Sequence, residues 1–197
     1  MKIERATRMP SYVGKLFASP PFMSIGRAIP KGMSKPQEWM DLRVITMVLD
    51  VSDGWVKTIH VNKPISLKVA DTVDDKDFPV DRQVYFGGAQ EIDKICYAYR
   101  VRNNFEVDGA IHLGDDLYYS GDFSEIIMGL KFNLIEDIQF FSGYSLIPIE
   151  ELEKNWIFLE IDLCLNSMRE SDWKNSLFDI GGSYAPLSEM DPFLAVR

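Results

Sequence analysis

The chain has few cysteines and histidines, two of each in 197 residues, and no long apolar run. Cys96 and Cys164 both lie in apolar, strand-like segments, where a thiol usually behaves as a small buried hydrophobe, so a structural disulfide is not indicated. No stretch of about 18 apolar residues is present to span a bilayer, and the amino terminus lacks the apolar segment of a signal peptide. We therefore expect a cytoplasmic protein without a membrane span.

The sequence patterns of common catalytic sites are also missing. The chain contains no GxSxG elbow, no HExxH and no GxGxxG or GxxxxGK loop. His112 lies three and four residues from Asp115 and Asp116, a grouping that a metal could use only if the other histidine, His60, came close. Ordinary hydrogen-bonded histidines are the favoured interpretation. We expect no enzyme activity, no cofactor and no bound metal.

Charge is divided unevenly along the chain. The first 36 residues carry seven cations and Glu4 alone, a net +6, which leaves −15 for the rest within the total of −9. An acidic body repels a phosphate backbone, so direct DNA binding would depend on the basic arm, which lacks a dense Lys/Arg run. The favoured alternative is an arm that is solvated, or that lies across an acidic body of its own or a partner subunit.

Proline and glycine are concentrated in the same arm, with eight of them within the first 36 residues. No long regular element fits there. We divide the chain into a basic, Pro/Gly-rich amino-terminal arm at residues 1–36 and a single domain at residues 37–197, which shows no repeat and no second linker. A hydrophobic content of 46% is ample for a packed core.

Strand patterns dominate the first half of this domain. The apolar segment LRVITMVLDV at 42–51 predicts a buried strand that forms a hairpin with VKTIHV at 56–61 through the Asp53–Gly54 turn. Pro64 is expected to end the second strand ahead of a short helix-like segment at 67–73. Further strand patterns follow at QVYFGG, KICYAYRV, GAIHLGDDLYYSG and, past the first predicted helix, at IQFFSG and WIFLEIDLCL.

Three helices are predicted in the second half. The first follows Asp122, whose side chain can cap it, ahead of apolar residues at helical spacing. The second starts near Pro148, which suits a first helical turn, and closes on Trp156. The third starts near Ser171 and stops at Gly181, where glycine suits the left-handed conformation of a helix C-cap.

Five short segments carry a resemblance to a known family. In chain order they are VNKPI (61–65), YFGG (85–88), DDLYYSGDF (115–123), FSGYSLIPIEELEKNW (141–156) and WKNSLFDIGGSYA (173–185). Together they resemble the bacterial YqgE/AlgH family, particularly its Bacteroidetes-like members, over nearly the whole chain. From residue 41 to residue 65 the match needs no gap and puts Arg43 on the family's arginine.

The resemblance implies a fold and a label more than an activity. The implied fold is a mixed α+β domain with a bifurcated, mainly antiparallel sheet folded into a pseudo-barrel and helices packed around it. The usual label is transcriptional regulator, with no established catalytic residue, DNA-reading helix or cofactor. The chain is divergent, because Asp50 and Val51 replace a typical Glu-His pair and Gly143 to Leu146 keep only part of a Gly-Tyr-small-Gly-Trp pattern.

The candidate site for a ligand, an anion or an interaction partner comprises Arg43, Asn62, Lys63, Gly87, Gly88, Asp122, Gly143 and Tyr144. Arg43, Asn62 and Lys63 lie at the ends of two predicted partner strands, where they would suit a carboxylate or phosphate if they converged. The glycine pair 87–88 could cradle an anion. The favoured alternatives are an Arg43–Asp122 ion pair, a backbone hydrogen bond from Asn62 ahead of the proline, and a sharp glycine turn.

Three functions remain open at this point. The leading hypothesis is a regulatory protein that acts by interaction with another protein rather than by catalysis, and an oligomer is compatible with it. The second is a small anionic-ligand sensor or cryptic enzyme that uses the Arg43, Asn62, Lys63 and glycine region. The third is direct DNA binding through the arm, which should weaken steeply with salt.

Overall fold

The structure of the chain is a computed structural model, which describes residues 12–19, 43–72, 82–160, 165 and 168–182. Cys164, most of the arm, most of the acidic loop after Asp71 and the continuation of the predicted strand beyond residue 160 lie outside the described residues. Cys96 forms no disulfide within the described part of the chain.

The regular elements, in chain order, are β1 (Leu16–Ala18), β2 (Ile45–Ser52), β3 (Trp55–His60), β4 (Pro64–Lys68), β5 (Gln83–Phe86), β6 (Gln90–Val101), β7 (Ile111–Gly114), β8 (Leu117–Tyr119), α1 (Phe123–Lys131), β9 (Ile135–Pro148), α2 (Ile149–Asn155), β10 (Ile157–Leu159) and α3 (Glu170–Ile180). One 3-10 turn, Val69–Asp71, follows β4. None of the described helices is both long and apolar enough to cross a membrane.

The strands form one mixed sheet in the order β10-β1-β2-β3-β9-β6-β8-β7, with β4 attached through β5. Only the pairing of β5 with β9 is parallel among the described strand pairs. The predicted α+β class with a mainly antiparallel sheet and packed helices is therefore confirmed. In the described strands, β7 and β10 end the order without pairing with each other, so closure into a pseudo-barrel stays a prediction.

The sheet forks along β9. One edge of β9 pairs with β6 between residues 135 and 144. The other edge is shared, because β5 pairs with residues 140–142 and β3 pairs with residues 145–148. Gly143 lies between the two partners and has a φ of +71°, which bends the strand at the point where β3 and β5 separate.

The described part of the predicted arm belongs to this sheet. β1 pairs with β2 on one side and with β10 on the other. Leu16, Phe17 and Ala18 are all buried, and the indole of Trp173 donates a hydrogen bond of 2.9 Å to the Ser19 carbonyl oxygen. A short apolar segment inside the basic arm therefore forms the strand between β2 and β10.

Two local predictions need correction. Pro64 begins β4 instead of ending a strand before a helix, and only the 3-10 turn Val69–Asp71 is helical in the described part of the predicted segment. A proline lacks the backbone N–H, so the first residue of a strand suits it. Gly143 does not end its strand either, since β9 continues to Pro148, and Pro148 is the N-cap residue ahead of α2.

The hairpin and the helices follow the sequence patterns more closely. β2 and β3 form the predicted hairpin, and Asp53 and Gly54 both have the positive φ that a tight hairpin turn needs. Asp122 caps α1 as predicted. The buried apolar faces of the helices then pack on the sheet, with α1 inserting Ile126, α2 inserting Leu152 and α3 inserting Trp173 into three separate core clusters.

Candidate functional site

The predicted glycine turn is a close crossing of two backbones, which we call the glycine crossing (Gly87, Gly88, Gly143 and Tyr144). A Cβ on Gly87 would lie 2.2 Å from the Gly143 carbonyl oxygen, and one on Gly88 would lie 2.2 Å from the Tyr144 carbonyl carbon. The Gly87 amide donates to the Ser142 carbonyl at 2.8 Å. These glycines therefore serve close backbone packing, and the Gly87 N–H is already used inside the protein.

A buried histidine–serine pair lies beside the crossing. The His60 amide donates to the Gly87 carbonyl at 3.0 Å, and His60 Nε2 lies 3.1 Å from Ser145 Oγ. Burial, followed by the positive charge of Lys63, lowers the pKa of His60 from 6.5 to about 3. His60 Nδ1 has no hydrogen-bond partner among the described residues. A weakly basic imidazole without an orienting acid does not make an effective catalytic base for a serine.

Asn62 holds the start of β2. Its side-chain Nδ2 donates to the Arg43 carbonyl at 2.9 Å, and its Oδ1 accepts from the Ile45 amide at 2.8 Å. The side chain is fully buried. Arg43 has a φ of +52°, so this clamp secures a backbone conformation that few non-glycine residues adopt. The Asn62 side chain thus hydrogen-bonds to backbone, as the favoured alternative predicted. Its partners, Arg43 and Ile45, lie across the hairpin and not in the segment next to Pro64.

The side chains of Arg43 and Asp122 have different surroundings. The Arg43 guanidinium lies 5.5 Å from the centre of the Trp173 ring, a cation–π contact. The Asp122 carboxylate accepts from the amides of Ser124 at 2.9 Å and Glu125 at 3.1 Å, as the N-cap of α1. The sequence-based suggestion that Asp122 pairs with Arg43 missed both of these contacts.

Lys63 is buried below the surface, with 1% of its area exposed. Its carbonyl accepts from the Phe86 amide at 2.7 Å, which ties the β3–β4 connection to β5. Among the eight predicted residues, the structure thus brings the four of the glycine crossing together, links Arg43 to Asn62 through the backbone, and places Asp122 at the start of α1.

A cavity that the sequence did not indicate lies beside β5. Its volume is about 500 Å³, and we call it the β5 cavity; it is lined by Pro64, Arg82, Gln83, Tyr85, Ile138, Gln139 and Arg169. These residues come from the β4–β5 pair, from β9 and from the start of α3. No local pattern joins such distant segments, so a search for short motifs could not have found them.

A patch with two exposed apolar side chains lies on the side of β3 and β9 that faces away from α2; its other two residues, Lys57 and Tyr144, are half-buried, and Tyr144 also packs against the core. We call Trp55, Lys57, Tyr144 and Leu146 the β3–β9 face. Trp55 is 48% exposed and Leu146 is 44% exposed. Lys57 and Leu146 are direct cross-strand partners, and the Lys57 ammonium lies 4.2 Å from the centre of the Tyr144 ring. The opposite side of the same strands is buried against α2.

Within the described ranges, no group of three or more His, Cys, Asp or Glu side chains is arranged so that it could hold a metal ion. His112, which the sequence grouped with two aspartates, instead places Nε2 2.8 Å from the Asp115 carbonyl oxygen. Its ring lies 4.9 Å from the ring of Tyr118, centre to centre.

Solved structures share this fold at low sequence identity. The crystal structure of protein DIP2367 from Corynebacterium diphtheriae has a TM-score of 0.67 at 14% identity, covering 93% of this chain and 94% of that one. The solution structure of the AlgH protein from Pseudomonas aeruginosa has a TM-score of 0.61 at 15% identity, covering 97% of this chain and 98% of that one. At these identities the likeness establishes the fold alone.

Sequence relatives come from Bacteroidetes-type organisms, as the resemblance implied. A UPF0301 protein of Cytophaga hutchinsonii is 26% identical over 164 residues, which are 77% of this chain and 88% of the relative. A UPF0301 protein of Bacteroides fragilis is 28% identical over 195 residues, or 93% of this chain and 89% of the relative. The AlgH-like family model (DUF179) matches residues 33–185. The chain therefore belongs to the AlgH-like family.

Proposed function

We propose that this protein is a non-enzymatic regulatory protein of the cytoplasm that acts by binding another protein through the β3–β9 face. The observation that carries the proposal is the exposure of Trp55 and Leu146 close together on paired strands of the sheet. The two residues lie on one side of paired strands, at diagonal positions, where side chains come within contact range. Tryptophan is among the residues that most often dominate the energy of protein interfaces.

The pairing of the strands limits how a partner can dock. β3 is bonded to β2 on one edge and to β9 on the other, so it offers no open edge for an added strand. A partner must therefore engage side chains on the sheet face. An apolar side chain seated between Trp55 and Leu146, with a carboxylate near the Lys57 ammonium, would complement the chemistry of the patch.

The site chemistry favours binding over catalysis. In the pair formed by Ser145 and His60, the imidazole is buried and its pKa is lowered to about 3. Its Nδ1 has no hydrogen-bond partner among the described residues. A histidine in this state stays neutral at pH 7 but accepts a proton poorly. These features support a structural role for the pair and a function that depends on a surface.

The regulatory part of the proposal rests on the family's label and on charge. With −15 outside the first 36 residues, the body would repel a nucleic-acid backbone, so we propose that any effect on transcription is exerted through a protein partner. Direct DNA binding would depend on the arm, and Leu16–Ala18 of the arm already form β1 of the sheet. The glycine crossing, which the alternative hypothesis of an anion sensor would use, is packed with backbone atoms.

The test compares two variants that each place a charge at an exposed apolar position. Leu146→Asp changes the β3–β9 face, whereas Met128→Asp changes α1, where Met128 is 55% exposed. Tagged wild-type and M128D proteins should capture the same partner protein from cell extract, and L146D should lose it while keeping its circular dichroism and unfolding midpoint. Equal capture by L146D, or no partner together with turnover on a broad substrate panel, would overturn the proposal.

A further inference from the structure

We propose that the β5 cavity is a binding site for a small molecule that carries an anionic group, carboxylate or phosphate, next to a hydroxyl or amine. The cavity volume of about 500 Å³ falls within the range of small-molecule sites. Pro64 and Ile138 supply apolar wall, and the remaining lining residues are polar or cationic. This site is separate from the β3–β9 face and does not depend on its role.

Two guanidinium groups supply the positive charge of the cavity. Arg82 precedes β5 and Arg169 is the N-cap residue of α3, so they approach from different elements. Neither arginine forms a salt bridge with another described residue. Arg82 Nε is buried, and it has no hydrogen-bond partner among the described residues. Planar guanidinium groups match the paired oxygens of a carboxylate or phosphate.

The Tyr85 hydroxyl adds a neutral donor. Burial raises the pKa of Tyr85, and a hydrogen bond from the Gln139 side chain and the positive charges of Arg169 and Arg82 oppose part of that rise. Asp172 also raises it. The hydroxyl therefore stays protonated at neutral pH and can donate to an anion held by the arginines.

Gln139 indicates what else the ligand must carry. Its side-chain Nε2 donates to the Val61 carbonyl at 3.2 Å, which fixes the orientation of the amide. Gln139 is only 2% exposed, yet Oε1 has no hydrogen-bond partner among the described residues. A buried acceptor left without a donor has lost its hydration without compensation, and a ligand hydroxyl or amine would supply the missing hydrogen bond.

Asp172, a described carboxylate near the cavity, is already engaged. Asp172 Oδ2 accepts from the Arg169 amide at 2.5 Å, so this carboxylate belongs to the cap of α3. Gln83 is engaged as well, since its Nε2 donates to the Ile65 carbonyl at 2.6 Å. The groups left to receive a ligand are therefore the two arginines, the Tyr85 hydroxyl and Gln139 Oε1.

The experiment is calorimetric titration with four probes in two matched pairs. Malate and succinate are dicarboxylates that differ by one hydroxyl, and glycerol 3-phosphate differs from inorganic phosphate by its polyol. Each pair tests the donor to Gln139, and comparison between the pairs distinguishes a carboxylate ligand from a phosphate ligand. We expect the hydroxyl-bearing member of one pair to bind about 10-fold more tightly than its control, which corresponds to about 1.4 kcal/mol.

Variants locate the site. Arg169→Ala removes an exposed side chain, so it should leave folding unchanged and weaken binding by about 10-fold or more. Arg102→Ala is the control, because it deletes the same charge at a residue paired with Glu136 and outside the cavity lining. Gln139→Met keeps the length of the side chain and should remove the preference for the hydroxyl-bearing probe.

Three results would overturn the proposal. The first is absence of binding by all four probes at about 10 mM, a concentration that detects even very weak sites. The second is equal weakening by Arg102→Ala and Arg169→Ala, which would indicate a general charge effect. The third is an unchanged hydroxyl preference in a folded Gln139→Met variant. Partner capture through the β3–β9 face should proceed in Arg169→Ala, so the two proposals fail independently.

Discussion

A Cβ built on Gly87 would lie 2.2 Å from the carbonyl oxygen of Gly143, so the two residues pack backbone against backbone. Gly87, which directly follows β5, also bonds to the two other strands at the fork, since its amide donates to Ser142 of β9 and its carbonyl accepts from His60 of β3. The separation of β3 from β5 along β9 therefore depends on a contact that tolerates no side chain. The glycine crossing therefore has a structural role, because it holds the strands of the sheet together at the fork.

Gly87→Ala should destabilise the protein by more than about 3 kcal/mol, because the new Cβ meets backbone that cannot move without breaking the fork. Denaturant unfolding measures the change. Gly54→Ala is the matched control: a Cβ there meets nothing within 4 Å, and its φ of +79° leaves only backbone strain. That strain should cost about 1 to 2 kcal/mol. Equal effects of the two variants would contradict the close crossing.

Asn62→Ala should cost about 2 to 4 kcal/mol, because it leaves the Ile45 amide and the Arg43 carbonyl without their side-chain partner in a buried place. Asn62→Asp should be similarly damaging, since it loses the donor to Arg43 and buries a charge. Equilibrium unfolding of both variants checks this prediction. A loss below about 1 kcal/mol in Asn62→Ala would mean that water or a shifted backbone replaces the clamp.

Local signals explain which parts of the fold the sequence predicts well. The Asp53–Gly54 turn and the Asp122 cap act within a few residues, so the hairpin and the start of α1 can be inferred from their own segments. The fork cannot be inferred in this way, because the bend at Gly143 lies where Gly87, a residue distant in sequence, packs against it. A strand that continues past a glycine looks, in sequence, like a strand that stops there.

His60 should make the protein less stable as the pH falls. The pKa of the folded state is about 3 against an ordinary value of 6.5, so the unfolded chain binds more protons between these values. The contribution of the neutral histidine is complete above pH 6.5 and is lost progressively down to pH 3. The difference between these two pKa values corresponds to at most about 5 kcal/mol of unfolding free energy.

His60→Gln tests this linkage because glutamine keeps a polar side chain near Ser145 but does not titrate. Unfolding free energies of wild type and variant, measured from pH 8 to pH 3.5, should converge as the pH falls, with the variant showing the shallower decline. Carboxylates contribute to the pH dependence of both proteins, so subtracting one curve from the other removes their contribution. Parallel curves would contradict a buried, neutral His60.

Asp122→Ala should cost about 1 kcal/mol through loss of the α1 cap, and Asp122→Asn should restore most of it, since asparagine caps helices comparably. Thermal unfolding measures both. If Asp122 instead served a ligand through its charge, the asparagine variant would be as impaired as the alanine variant in binding assays while remaining stable. The two predictions separate a structural carboxylate from a functional one.

The candidate site was only partly predictable for the same physical reason. Glycines and the Asn-Lys-Pro segment stand out in a sequence. In the structure the glycines allow close backbone packing, and Asn62 hydrogen-bonds to the backbone at the start of β2. Arg82, Gln139 and Arg169 do not stand out, because each is an ordinary polar residue in its own segment. Their grouping arises from tertiary packing of β5, β9 and α3, and the exposure of Trp55 likewise depends on which side of the sheet α2 covers.

Photo-crosslinking from position 55 tests directly whether the β3–β9 face binds a protein partner. A benzophenone amino acid replaces Trp55 on the β3–β9 face in one strain and Phe132 of the α1 end, which is 67% exposed, in another. Binding through this face predicts that position 55 crosslinks one defined protein in living cells, that position 132 does not, and that adding Leu146→Asp abolishes the product. Identical products from both positions, or none from position 55 in folded protein, would contradict it.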